Sequence, residues 1–134
     1  MQAIEDFDLA VSTLKDMGDD VKVPSDRIGG ILRSMDCWVM YDGDTVVGVG
    51  ALQIVENHTA PHVYVKREFR RSGYGKKIIN ELNEQAKNLG SSAMVGYTPD
   101  WNEAAKQMML DSGYKYLRTE SDLFITIKEF DNGS

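Results

Sequence analysis

Val65-Lys66-Arg67-Glu68-Phe69-Arg70-Arg71-Ser72-Gly73-Tyr74-Gly75 joins two segments of different periodicity. Before it, residues 61–66 alternate, with Val63 and Val65 on one face and His62 and Tyr64 on the other, which predicts a strand. After it, Ile78, Ile79, Leu82, Ala86 and Leu89 fall on one helical face, which predicts a helix over 76–89 closed by Gly90. Two glycines in a tight strand-to-helix turn let backbone approach a ligand closely. The first-turn amides of the helix have no intrahelical acceptor and sit at the positive end of its dipole. Such a turn suits phosphate or pyrophosphate. Arg70, Arg71, Lys76 and Lys77 concentrate positive charge there, in a chain whose formal net charge is −6. Residues 70–75 also suit a left-handed turn flanked by solvated bases. They fit neither the dinucleotide GxGxxG fingerprint nor a GxxxxGK phosphate loop.

Working outward, residues 45–55 and 37–41 read as strands joined by an Asp42-Gly43-Asp44 turn, so three consecutive strands should be antiparallel. Toward the N-terminus, Ile4, Phe7, Ala10, Val11, Leu14 and Met17 recur three and four apart and predict a helix over 4–17, stopped by Gly18. Pro24-Ser25-Asp26 opens a second helix, weakened by Gly29-Gly30. Toward the C-terminus, 92–97 is a strand. Because a helix precedes it, it should run parallel to 61–66. Asp100 and Glu103, spaced like a capping box, begin a helix that reaches Ser112 and ends at Gly113. Residues 114–118 and 123–129 form a last hairpin, and 131–134 a disordered tail. The expected fold is an α/β mixed sheet with helices on both faces, in one domain over 1–130.

With 134 residues, 42% hydrophobic and 27% charged, the composition is that of one globular domain. No run of about 18 apolar residues predicts a membrane span, and no signal segment opens the chain. One cysteine, Cys37, permits no internal disulfide and argues against a Cys-based metal site, which points to a reducing cytoplasm. The acidic balance disfavours nucleic acid, even through Arg67, Arg70, Arg71, Lys76 and Lys77. It favours cationic partners, or serves solubility alone.

The 65–75 segment resembles the acyl-CoA-binding signature of the GNAT N-acyltransferase superfamily, (Gln/Arg)-x-x-Gly-x-(Gly/Ala), here Arg70, Gly73 and Gly75. Downstream, Asn102, Ala105 and Gly113-Tyr114 resemble the family's second motif. The element order matches as well. The resemblance implies a GNAT-like fold whose sheet splays open between 61–66 and 92–97, with acetyl-CoA as cosubstrate and no metal. It implies that the pantetheine arm pairs with the backbone of Val63, Tyr64 and Val65. The pyrophosphate would rest on Arg71, Ser72, Gly73, Tyr74, Gly75 and Lys76 beside Arg70, and Asn102 would contact the arm. The activity implied is direct transfer of an acetyl group to a primary amine, either a small cationic amine or a lysine or N-terminus of a basic protein. The alternative is a degenerate acyl-CoA-binding module acting through protein contacts.

Three departures from the family pattern stand out. The family's opening strand is missing or vestigial, which leaves about six strands, an exposed edge at 37–41, and a homodimer covering that edge or the last hairpin. The family's usual tyrosine acid, seven residues after the asparagine, is replaced by Met109, a thioether with no proton to give. Tyr97, Tyr114 and Tyr116 are candidate substitutes. No base stands at the family's usual strand positions, so His62 and Glu56 are the candidate catalytic bases, with His58 nearby. Cys37 reads as a buried structural thiol, and Trp38 and Trp101 read mainly as core, with a shelf for the adenine or the substrate as the alternative for Trp101. The acceptor surface is expected to carry Asp19, Asp20, Asp26, Glu56, Glu120 and Asp122.

Overall fold

The computed structural model describes residues 1–130 apart from 19, 20, 22 and 57. The tail expected at 131–134 therefore lies outside the described residues, as do Asp19 and Asp20. The chain opens with a strand, β1 (Gln2–Glu5), followed by α1 (Phe7–Met17) and a short α2 (Ile28–Leu32). Three strands come next: β2 (Met35–Asp42), β3 (Thr45–Val55) and β4 (His58–Val65). A 3-10 turn at Arg67–Phe69 leads into α3 (Tyr74–Asn88), then β5 (Ala93–Pro99) and α4 (Glu103–Asp111). The hairpin β6 (Lys115–Glu120) and β7 (Leu123–Glu129) completes a seven-stranded sheet in the order β1-β2-β3-β4-β5-β7-β6.

The opening strand is present, which corrects the expectation of six. Gln2 to Glu5 pair antiparallel with Tyr41 to Trp38. Ile4 fits the helical spacing of Phe7 and Leu14, yet it lies in β1. Asp6 ends the strand and caps α1, its carboxylate accepting from the Leu9 amide at 3.0 Å. With β1 in place the 37–41 segment is an interior strand. The ground given for a homodimer over that edge is gone, because its backbone groups are already paired. The free edges are β1 and β6, and every residue of β6 is exposed. The second helix shrinks to five residues, as its two glycines lead one to expect.

Alternation along β2 and β3 sends side chains to two apolar layers. Val39, Val49 and Ala51 meet Ala10, Leu14, Ile28 and Leu32 beneath α1 and α2. Met40, Leu52 and Met94 meet Ile78, Ile79 and Leu82 of α3, with Met109 of α4 beside them. The second layer is unusually close. At Gly50 a Cβ atom would stand 3.0 Å from Leu82 and 3.1 Å from Ile78, and at Gly48 it would strike the Tyr64 carbonyl. Glycines on β3 thus let α3 lie directly against the sheet beside β4.

β4 and β5 are the sheet's parallel neighbours, and they pair at Thr59↔Met94 alone. By contrast β4 follows β3 from Val55↔His58 to Gly48↔Val65. Above Thr59 the two parallel strands therefore diverge into a fork. Pro61 stands two residues past the pair and has no N–H to offer a neighbour.

Candidate active site

At the open end of the fork, the segment after β4 turns sharply into α3. Arg70 Nε donates to the Val65 carbonyl at 3.2 Å, folding the loop back on the strand. Arg71 (φ 64°) and Gly73 (φ 82°) adopt left-handed backbone. Gly73 is the N-cap and makes no side-chain capping bond, so the first-turn amides are left for another acceptor. The helix starts at Tyr74, two residues before the expected 76. Tyr74 pins that first turn: its hydroxyl donates to the Asp42 carboxylate, and its ring meets Phe69 edge-on at 5.8 Å. The bond to Asp42 holds the phenol proton more firmly than usual.

A cavity of about 860 Å³ runs from this loop between β4 and α4. Val63, Tyr64, Val65, Arg70, Arg71, Gly73, Gly75, Lys76 and Asn102 all line it. Of the expected phosphate-binding residues, Ser72 and Tyr74 do not line it. Ala104, Ala105 and Met108 supply a low wall from α4. Trp101 also lines it, 65% exposed, so it is not a core residue, whereas Trp38 is buried in the core.

Asn102 is the N-cap of α4, its Oδ1 accepting from the Ala105 amide at 3.1 Å. The expected capping pair is instead engaged with Lys106, Asp100 at 3.2 Å and Glu103 at 2.9 Å. Asn102→Ala is therefore expected to destabilise the free protein by about 1 kcal/mol, while Asn102→Asp keeps the cap. Chemical denaturation without any ligand measures this. Equal stability of the alanine variant and the parent would show that the cap contributes nothing.

His62 is the next β4 residue below the cavity's Val63 wall. It lies with Tyr64 on the α1/α2 side, opposite Ala51 of β3. Its Nε2 is 3.0 Å from Gln53 Oε1. With an amide oxygen as partner, Nε2 carries the proton and Nδ1 keeps its lone pair. Burial lowers the imidazole's pKa from 6.5, so the ring is neutral at pH 7. Glu56 (φ 54°) sits in the turn before β4, beyond the closed end of the fork. His58, one residue before the apex, makes a 3.2 Å hydrogen bond with the Tyr97 hydroxyl of β5.

The other candidate phenols are committed elsewhere. Tyr114 is buried and donates to Asn83 Oδ1 at 2.6 Å, and burial pushes its pKa far up. Tyr116 bonds Thr119 at 2.9 Å on the outer edge. Met109 is packed in the core, where its methyl occupies the space that a side chain at Gly96 would need. Burial, helped by Asp36 and Glu5, pushes the Cys37 thiol up to about 11, so it is no nucleophile at neutral pH.

Of the acidic residues expected to face an acceptor, Asp26 is exposed ahead of α2, and Glu120 and Asp122 are exposed at the β6–β7 turn. That turn is held beside the end of β5 by a 2.9 Å bond from the Asp100 amide to the Asp122 carbonyl.

Residues 33–116 match the family model for the acetyltransferase (GNAT) domain. Probable N-acetyltransferase 14 of Xenopus tropicalis is 33% identical over 82 residues, 58% of this chain and 40% of that protein's length. The uncharacterized N-acetyltransferase YvbK of Bacillus subtilis strain 168 is 23% identical over 113 residues, 81% of this chain and 73% of that protein. A B. subtilis acetyltransferase solved in complex with CoA superposes with a TM-score of 0.78 at 17% identity, covering 96% of this chain and 97% of that one. Sequence match and topology agree, and the chain belongs to the GNAT acetyltransferase family.

Proposed function

We propose that the protein transfers the acetyl group of acetyl-CoA to a primary amine. The observation that carries this is the cavity in which the free edge of β4 at Val63–Val65 and the uncapped N-terminus of α3 face the same space. The backbone of Val63, Tyr64 and Val65 supplies an unpaired strand edge for the amide-bearing pantetheine arm. The amides of Arg71 to Lys76 and the guanidiniums of Arg70 and Arg71 supply a positive site for the pyrophosphate. An N–H near Val63–Val65 polarises the thioester carbonyl. The arm then directs the thioester toward His62, whose neutral ring takes the proton of the attacking amine. Neither His62 nor Glu56 lines the cavity; His62 is favoured because it is the β4 neighbour of the lining residue Val63, whereas Glu56 lies past the apex. Attack is direct, since Cys37 is a buried thiol.

The acceptor is cationic, a polyamine-like molecule or a lysine or N-terminal amine of a basic protein. The exposed carboxylates of Asp26, Glu120 and Asp122 and the net charge of −6 favour such a partner. A reduced, buried cysteine fits a cytoplasmic location. Thiol release from acetyl-CoA, followed across polyamines, lysine peptides and free N-termini, tests the activity. Release with one class of amine is the expected result. CoA binding without release from any amine would overturn it.

A further inference from the structure

We infer that the acceptor is a primary amine with an apolar body and one charge in water, held against the α1/α2 side of the site. The inference rests on the acetyl-transfer reading and narrows its acceptor. The cavity reaches past β4 to that side: Met17, at the end of α1, lines it together with Tyr64, which packs beneath α1 and α2. Tyr64 also forms a wall of a second recess, of about 10 Å³. Leu14 of α1, Val21 and Val23 between the helices, and Ile28, Ile31 and Leu32 of α2 enclose it. That is room for one small group such as a methyl. One tyrosine therefore belongs to both spaces, and Leu14 and Met17 stand about one turn apart on α1. Ile31, 42% exposed, is at the recess's outer rim.

The α1/α2 side carries no charge among the described residues that line it. Its hydrogen-bonding side chain is the Tyr64 phenol, which burial keeps neutral by raising its pKa. The cations Arg70, Arg71 and Lys76 belong to the loop. Among the described residues, the one carboxylate that lines either space is Asp111, on the α4 wall, where Gln107 Nε2 donates to it at 2.8 Å. Met108, about one turn before Asp111, is the side chain that a Cβ at Gly75 would meet, so this carboxylate lies toward the start of α3 and the phosphate end. Asp26, Glu120 and Asp122 line neither space.

An amine must be unprotonated to attack. An ammonium brought from water to an uncharged wall loses hydration and gains no partner, so its pKa falls and the neutral, nucleophilic form is favoured. A hydrocarbon body gains by leaving water at the same wall. A polyamine fits poorly, because its second ammonium would face the apolar recess with no carboxylate to meet it.

Hexylamine and hexamethylenediamine have nearly equal length and differ by one terminal charge. With acetyl-CoA, kcat/KM should rise roughly fourfold for each methylene that leaves water along the series from propylamine to hexylamine. Hexylamine should exceed the diamine by on the order of tenfold or more. Ile31→Asp sets a carboxylate at the rim, at a position exposed enough for the fold to tolerate it. It should raise KM for hexylamine and shrink or reverse the ratio, with KM for acetyl-CoA and the CoA-induced rise in melting temperature at the parent's values. Ile31→Ala, which adds no charge, should weaken the preference for longer monoamines and leave the diamine as poor as before. A parent that uses the diamine or spermidine better than hexylamine, or a ratio unmoved by Ile31→Asp, would overturn the inference while leaving acetyl transfer standing. A parent that prefers butyryl-CoA to acetyl-CoA and loses that preference in Ile31→Asp would give the recess to the acyl chain and overturn it as well. A parent that releases no thiol with any amine overturns both readings.

Discussion

Gly75→Glu is expected to abolish the rise in melting temperature that CoA produces in the parent. At CoA about 100 times its dissociation constant the parent should gain roughly 2.7 kcal/mol, and the variant close to none. Gly75 is the second residue of α3 and lines the cavity. A Cβ there meets Met108 Sδ at 2.7 Å, so a longer side chain must displace that thioether or occupy the groove. The added carboxylate then stands at the positive end of the helix, in the place of a phosphate. Gly75→Ala is the control. It asks only that the flexible end of Met108 move, and most of the shift should survive. Scanning calorimetry with and without CoA reads both. A glutamate variant that kept the full shift would remove this loop from the cofactor site.

His62→Ala should lower kcat by on the order of 10²–10⁴ while the CoA-induced shift persists. His62→Gln separates loss of the base from loss of the contact with Gln53. The pH dependence carries the sharper test. Burial lowers the imidazole's pKa, so the neutral base survives to below pH 6.5, and the acid limb of kcat/KM assigned to it should fall below 6.5. In His62→Ala that limb should disappear, leaving a rate that climbs toward the amine's own pKa. The same burial has a stability consequence of definite sign. The unfolded chain takes the proton near pH 6.5 and the folded chain only lower, so this group's contribution is present above 6.5 and lost as pH falls below it. Identical pH–rate profiles for parent and His62→Ala would assign the proton to water.

Much of the site is encoded within a few consecutive residues, and those parts could be read from the sequence. The left-handed Gly73, the bases around it and the periodic face of α3 depend on neighbours up to four positions away. Helix hydrogen bonds and turn conformations operate over that range. Hence the turn at 70–75 and the parallel placement of β5 follow from local pattern, whereas the resemblance to the acyl-CoA signature implied nine of the sixteen residues that line the cavity. The antiparallel order of β2, β3 and β4 is likewise determined by short turns.

Tertiary structure decided the rest, because strand pairing links residues far apart in the chain. Residues 2–5 carry an Ile4 in phase with α1, and only the unpaired edge of β2 makes them a strand. Met108 and Met109 are adjacent in sequence, yet one lines the cavity and the other fills the core over Gly96, a difference set by where α4 lies on β5. Trp101 is open to solvent for the same reason. The sequence carried one signal for the fork, Pro61 in an otherwise central strand. The closed end of the fork comes from the Thr59↔Met94 register, which joins residues 35 positions apart and leaves no mark on local pattern.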